Sequence, residues 1–253
     1  MFFRKQKEPV IEFRSEHIFI QDESKPVPAS KKIPQWYKNL RDIKEKITEK
    51  NVEKTIREHR TAKACVPLLD AATAGYILSM PTDILIYSWI DENNEVQVSV
   101  QTPTDLEDVI TSHSKFQIET HYLAKNNLGI ALKLANWFYI KTPPGYSCLF
   151  VPHLNSDFED EYGIRFMSGI VDTDTFHLRI QFPFFLTRIT GKDKPILIPR
   201  GTPLMQVIPY KRENWTHTIK ESDEKHRLKT AFRFKSVFMD QYKSSFWSKK
   251  KYR

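Results

Sequence analysis

Two carboxylates, Asp172 and Asp174, in the run Gly169-Ile-Val-Asp-Thr-Asp-Thr-Phe, are the residues whose types and spacing could do chemistry in this 253-residue chain. A carboxylate positioned at a turn can accept a proton from a bound water and act as a general base, and Asp172 is the candidate for that role. The same Asp-Thr-Asp run at a strand end has a plainer use, in which the carboxylates accept backbone N–H bonds and shape the turn. His113 and His121 stand eight apart across a short apolar alternation. Without a third ligand at suitable spacing they read as surface histidines and not as a metal site. Cys65 and Cys148 cannot build a metal cage alone and read as two buried free thiols, which favours a reducing compartment. At the C terminus, Lys249, Lys250 and Lys251 stand beside Trp247 and Tyr252, a pairing of cations and stacking groups suited to a nucleic-acid backbone. The plainer reading of that cluster is a solubilising chain end.

These residues need a scaffold, and the composition points to a folded one, with 40% hydrophobic and 13% aromatic residues. Fifteen prolines against seven glycines predict many strand ends and rigid loops, and five of the glycines fall between 140 and 205. The net charge of +8 permits contact with a polyanion. From Lys220 to Arg253 there are 11 Lys/Arg against 4 Asp/Glu, so nearly all of the excess lies there. The opening Met-Phe-Phe-Arg-Lys lacks the apolar run of a secretory signal, and no stretch approaches the ~18 apolar residues of a span, so no membrane contact is expected.

In chain order, Val10–Arg14 and His17–Ile20 alternate as a strand or strand pair. An extended arm follows, kept out of helix by Pro26, Pro28 and Pro34, and leads to a short helix with Trp36, Tyr37 and Leu40 on its apolar face. Residues 41–62 are densely charged and read as a solvated surface helix, a partner-binding role being the alternative. Cys65–Met80 is either a buried helix stopping near Gly75 or the entry to a strand. Asp83–Ile90 and Val96–Val100, joined by Asp91-Glu-Asn-Asn, predict a hairpin. Trp137–Pro152 reads as strand, Pro-Pro-Gly turn and strand, and Gly169–Arg212 as strands punctuated by Gly191 and Gly201. Leu228, Phe232, Lys235, Phe238, Tyr242 and Phe246 recur every three or four residues, the pattern of one amphipathic helix with an aromatic face.

Several segments, taken together, resemble the trimeric dUTPase and dCTP deaminase superfamily. Thr73-Ala-Gly-Tyr-Ile-Leu is similar to its first motif, and Ile140-Lys-Thr-Pro-Pro-Gly-Tyr-Ser to the turn before its phosphate-binding motif. Gly169–Phe176 resembles its third motif and Ile198–Ile208 its fourth. The resemblance covers roughly residues 65–212 and implies a mainly β fold, a β-clip or distorted barrel, with a few peripheral helices. It implies that Asp172 orients the attacking water, that Phe176 stacks beneath a deoxyribose, and that Gln206 binds phosphate, with Asp174 beside them in the ligand site. Mg²⁺ enters only with that nucleotide chemistry; otherwise no cofactor is expected. The departures are specific. Val151-Pro-His-Leu-Asn stands where the family has Arg-Ser-Gly, Ile77 replaces the aspartate of the first motif, and residues 213–253 contain no glycine to form a closing arm.

Taken whole, the chain also resembles a family of phage-encoded proteins that share Lys31–Leu40, Trp137–Ser147, Gly169–Thr175 and Phe246–Arg253. That resemblance implies a viral origin and the host cytoplasm or the virion as location, and it brings no activity with it. The expected organisation is an N-terminal arm (1–62), a dUTPase-like β domain (63–212) and a basic C-terminal helix and tail (213–253). The expected function is a non-enzymatic virion component or binding module, assembled with copies of itself or with other phage proteins. The alternatives are a nucleotide-binding or nucleotide-hydrolysing enzyme using Asp172, and nucleic-acid binding through the tail.

Overall fold

The computed structural model describes residues 8–16, 22–41, 61–103, 109–113, 131–235 and 241–253. The strand expected at 17–20, most of the charged stretch 41–62, His121 and Phe238 lie outside the described residues. The chain is mainly β, with fourteen strands and five α-helices among the described residues. In order these are β1 (Glu12–Arg14), β2 (Val27–Pro28), α1 (Gln35–Asn39), α2 (Val66–Thr73), β3 (Tyr76–Ser79), β4 (Ile84–Ile90), β5 (Val96–Gln101), β6 (Ile110–Ser112) and β7 (Ala131–Ala135). There follow β8 (Tyr139–Lys141), β9 (Tyr146–Pro152), α3 (Phe158–Tyr162), β10 (Ile164–Phe166), β11 (Gly169–Val171) and β12 (Gln181–Leu186). The chain ends with β13 (Gly191–Ile198), β14 (Pro203–Lys211), α4 (Glu224–Lys235) and α5 (Gln241–Ser245).

Every strand pair is antiparallel. The sheets run β11-β9-β14-β3-β2, β10-β12-β7-β6, β13-β4-β5 and β1-β8. One apolar cluster joins all four: Phe150 and Met205 from the first, Phe182 and Phe184 from the second, Ile86 and Ile198 from the third, and Ile140 from the fourth. Alternating side chains explain why. In β4 every second residue, Ile84, Ile86 and Ser88, is buried, as a strand with one face on a core requires.

Local sequence sets the turns. Between β4 and β5 the Asp91 carboxylate accepts from the N–H groups of Asn93 and Glu95, both at 2.9 Å, and Asn94 takes the left-handed conformation, so Ile90 pairs with Val96 as expected. The 65–80 segment is both helix and strand: α2 ends, Gly75 turns with φ +67°, and β3 begins. A Cβ at Gly75 would sit 2.0 Å from the Val207 carbonyl oxygen, so only glycine lets β14 approach this closely.

The N-terminal arm lies on its own core. Val27 pairs with Ile77, Ala29 N–H donates to Gly75 O at 2.9 Å, and the Ser24 hydroxyl donates to Met80 O at 3.0 Å. In α1, Tyr37 is buried and donates to Lys63 O at 3.0 Å, while the Trp36 indole donates to Asn155 O at 2.6 Å.

The strands flanking Pro143-Pro144-Gly145 form as expected and take different neighbours: β8 pairs with β1, and β9 runs between β11 and β14. The turn between them is fastened from outside, by the Asp174 carboxylate on Gly145 N–H. Two expectations are corrected. The single C-terminal helix is two helices, and Leu228 and Phe232 face solvent. Cys148 is buried but Cys65 is exposed, and both are free thiols. No helix among the described residues is long and apolar enough to cross a membrane.

Candidate functional site

The acidic turn follows β11 directly. Asp172 O accepts from the N–H groups of Thr175 (3.1 Å) and Phe176 (2.9 Å), which folds 172–176 back on itself. Beneath it, Thr173 is fully buried; its hydroxyl lies 2.7 Å from that of Thr142 and donates to Cys148 Sγ at 3.3 Å. Burial pushes the Cys148 thiol up to about 11, against the smaller opposing effect of the Thr173 hydroxyl, so the sulfur is a packed neutral group.

Arg212, the residue after β14, reaches across to this turn. Its Nη1 donates to Asp174 Oδ1 (2.9 Å), Ser147 Oγ (3.0 Å) and Tyr146 O (3.0 Å), and its Nη2 to Asp174 Oδ2 at 2.5 Å. Gly145 N–H donates to the same Oδ2 at 2.8 Å, while Arg212 N–H donates to Gly145 O, also at 2.8 Å. The result is a clasp joining the 172–176 turn, the Pro-Pro-Gly turn and the end of β14. Its fork geometry is the strong form of a charge-assisted pair. The Arg212 guanidinium, with help from Gly145 N–H, holds the Asp174 carboxyl at about 2, and Asp174 in turn raises Arg212.

Asp172 is differently placed. Its Oδ1 accepts from the Ser147 hydroxyl at 2.6 Å and lies 3.2 Å from Arg212 Nη1, but its side chain is 59% exposed. Its Oδ2 takes no hydrogen bond among the described residues. Phe176, on the same turn, is also exposed.

Gln206 is elsewhere in function. It is fully buried; its Nε2 donates to Ala71 O (2.8 Å) and Ala74 O (2.6 Å), and its Oε1 accepts from Leu154 N–H at 3.2 Å. Its amide thus ties the end of α2 to the turn after β9. His153, next to Leu154, is buried with its Nε2 unpartnered among the described residues, and desolvation pulls it down to about 4.

The C-terminal residues fold back onto the core. Trp247 Nε1 donates to both Asp70 oxygens (2.9 and 3.1 Å), Lys250 Nζ to Asp70 Oδ2 at 2.6 Å, and the Tyr76 hydroxyl to Arg253 O at 3.2 Å. Tyr252 packs edge-on against Tyr76. Lys249 and Lys251 remain exposed.

The structure therefore brings Asp172, Asp174 and Phe176 together on one turn and leaves Gln206 in the interior. Arg212, Ser147 and Gly145 complete the cluster. Gly145 and Ser147 stood out only as parts of the Pro-Pro-Gly turn, and Arg212 carried no signal, because nothing links a residue at 212 to a carboxylate 38 positions earlier except the fold. Asp174 is paired with Arg212, the Gln206 amide is bonded to Ala71, Ala74 and Leu154, and Val151–Asn155 contains no lysine or arginine. Among the described residues no group of three His, Cys, Asp or Glu could hold a metal ion.

No family model and no curated protein matches the chain. Solved structures do. Native EIAV dUTPase shares 14% identity, with 59% of this chain and 85% of that one covered, at a TM-score of 0.31. A mutant dUTPase of Staphylococcus bacteriophage 80alpha shares 10%, covering 60% and 83%, at 0.32. A mutant dUTPase from phage phi11 of S. aureus shares 9%, covering 85% and 97%, at 0.35. These are the structures that the fold resembles, and at such scores the likeness carries nothing about the site.

Proposed function

We infer that the chain is a non-enzymatic binding module on a mainly β scaffold, a phage protein that assembles with copies of itself or with other phage proteins, in the infected host cytoplasm or in the virion. In this reading the β domain (63–212) is the scaffold, the arm (1–62) braces it, and the C-terminal region (213–253) meets partners. The observation that carries it is the use of Gln206 and Asp174. Both have every polar atom of the side chain engaged by the protein's own groups, Gln206 in the interior and Asp174 in the Arg212 clasp. A hydrolase of the dUTPase type needs residues at these positions free to meet a ligand, and needs cationic donors for the phosphates.

A second reading, a nucleotide ligand on Asp172 and Phe176, is favoured by one observation: an exposed carboxylate and an exposed ring share a turn. Polyanion binding by the tail keeps Lys249 and Lys251 but has Trp247, Lys250 and Tyr252 engaged with Asp70 and Tyr76. Thermal unfolding with each deoxynucleoside triphosphate and Mg²⁺ tests the main reading. The binding-module account expects no shift of the midpoint. A shift that Asp172→Ala abolishes would establish the second reading in its place. Mass spectrometry of purified particles decides between virion and cytoplasm.

A further inference from the structure

The positive excess of the chain and its outward-facing aromatic rings fall in the same place. Lys220–Arg253 holds 11 Lys/Arg against 4 Asp/Glu, which accounts for nearly all of the net +8. Among the described residues, seven large apolar side chains between 213 and 246 are exposed, and five of them are aromatic: Trp215, Phe232, Phe234, Tyr242 and Phe246. Over the rest of the described chain three of nine are aromatic, so the enrichment belongs to this region. Cations interleaved with rings are the pairing that a nucleic-acid strand uses, since each linkage carries a phosphate and each base a π-face.

Local sequence builds the surface. Asp223 starts α4: its carboxylate accepts from His226 N–H and its carbonyl from Arg227 N–H, both at 2.9 Å. Glu224 pairs with Arg227 at 3.5 Å. The acids at the head of the helix are thus used within it, whereas Lys225 and Lys229 enter no ion pair among the described residues. The 3.6-residue period puts Lys225, Leu228, Lys229 and Phe232 on one face, and there Phe232 is 78% exposed and Leu228 54%. The opposite side takes α5, with the Phe234 and Phe246 rings 6.4 Å apart and the Arg233 guanidinium 5.2 Å above the Phe246 ring. So α4 packs one apolar side on its neighbour and turns a second, rimmed by lysines, to solvent. The 247–252 cluster differs: Asp70 holds Trp247 and Lys250, and Tyr252 packs on Tyr76.

We propose that the outward face of α4 binds single-stranded nucleic acid, Lys225 and Lys229 meeting phosphates and Phe232 stacking on a base, with Trp215 on the segment before the helix as a second ring. This rests on the binding-module reading and adds a ligand class to it. The rings select an unpaired strand, because a duplex keeps its base faces stacked on one another and offers only their edges. An anionic membrane surface would meet the same charge, but a helix lying in lipid needs a broad apolar face, and α4 turns only Leu228 and Phe232 outward. Lys225 to Phe232 spans about 10 Å of helix axis. Two to three phosphates neutralised over that length give log Kobs a slope of about −1.4 to −2 against log salt.

Fluorescence anisotropy of the full chain with a labelled thymidine oligonucleotide of about 20 nucleotides tests this. The wild type is expected to bind saturably at ~50 mM salt and to weaken with salt at that slope. Lys225→Ala with Lys229→Ala should make the slope shallower by about 1.4, and Phe232→Ser should raise Kd at least ~5-fold with the slope unchanged. All three side chains are exposed, so circular dichroism should not change. Lys249→Ala with Lys251→Ala should cost less affinity than the α4 pair. Four results overturn the proposal: no binding at low salt, equal or tighter binding of the same sequence as a duplex, binding of phosphatidylserine vesicles without the oligonucleotide, or a loss confined to the 249/251 variant. dTTP with Mg²⁺ at the same phosphate concentration should not displace the strand. Displacement would put the strand at a nucleotide site, and it overturns the α4 assignment and the non-enzymatic reading together. Each of the other four failures leaves that reading standing.

Discussion

Replacing Gln206 by leucine separates a structural amide from a ligand-binding one. Leucine keeps most of the buried volume but removes the donor pair to Ala71 O and Ala74 O and the acceptor for Leu154 N–H. Each bond contributes about 1 kcal/mol net, and a buried group left without its partner costs about 1–3 kcal/mol, so the Leu154 N–H and Ala74 carbonyl dominate the loss. The sum is about 3–5 kcal/mol. For a chain of this size that lowers the thermal midpoint by on the order of 10 °C. Urea unfolding followed by tryptophan fluorescence and circular dichroism measures it, with an unchanged m-value marking a native-state effect. A loss below ~1 kcal/mol would refute the assignment, since a glutamine held for a ligand can be replaced at little structural cost.

The Asp174–Arg212 clasp predicts an acid limb. A carboxyl held at about 2 in the folded chain against an ordinary 3.8 stabilises the fold above pH 4, and that contribution is lost as pH falls from about 4 to about 2. Unfolding midpoints of the wild type and Asp174→Asn should therefore converge across that window. His153 gives a second limb: neutral in the fold until pH falls to about 4, it favours unfolding progressively below 6.5, by up to about 3 kcal/mol, and His153→Leu should flatten the profile between those values. Asp70→Ala removes the acceptor of both Trp247 and Lys250. It should free the C terminus, read as faster hydrogen exchange at 247–253 with the core's exchange unchanged; unaltered exchange there would mean that Tyr76 and Tyr252 hold it alone.

Much of the fold was legible because local signals agreed. The β4–β5 hairpin was marked by alternation on both sides of an Asp-Glu-Asn-Asn turn, and β9, β11 and β14 each by an apolar run bounded by glycine or proline. What pairing they enter was not legible. Gly169–Arg212 reads as a continuous series of strands, yet β11 and β14 lie in one sheet without touching, β12 in a second and β13 in a third. Strand patterns carry the period of a face and not the identity of the neighbour. The site divided in the same way. The Asp-Thr-Asp turn stood out by composition, whereas the Arg212 that closes it and the α2 carbonyls that capture Gln206 come from positions 38 and more than 130 residues away. In the tail, lysines beside aromatics look free in a sequence, yet one distant acid, Asp70, holds one of each, Lys250 and Trp247.

Calorimetric titration of the full chain with deoxynucleoside triphosphates and Mg²⁺, combined with an assay for released pyrophosphate and phosphate, tests the central claim most directly. The account predicts no saturable heat and no release above buffer. Saturable binding with turnover that disappears in Asp172→Asn would contradict it.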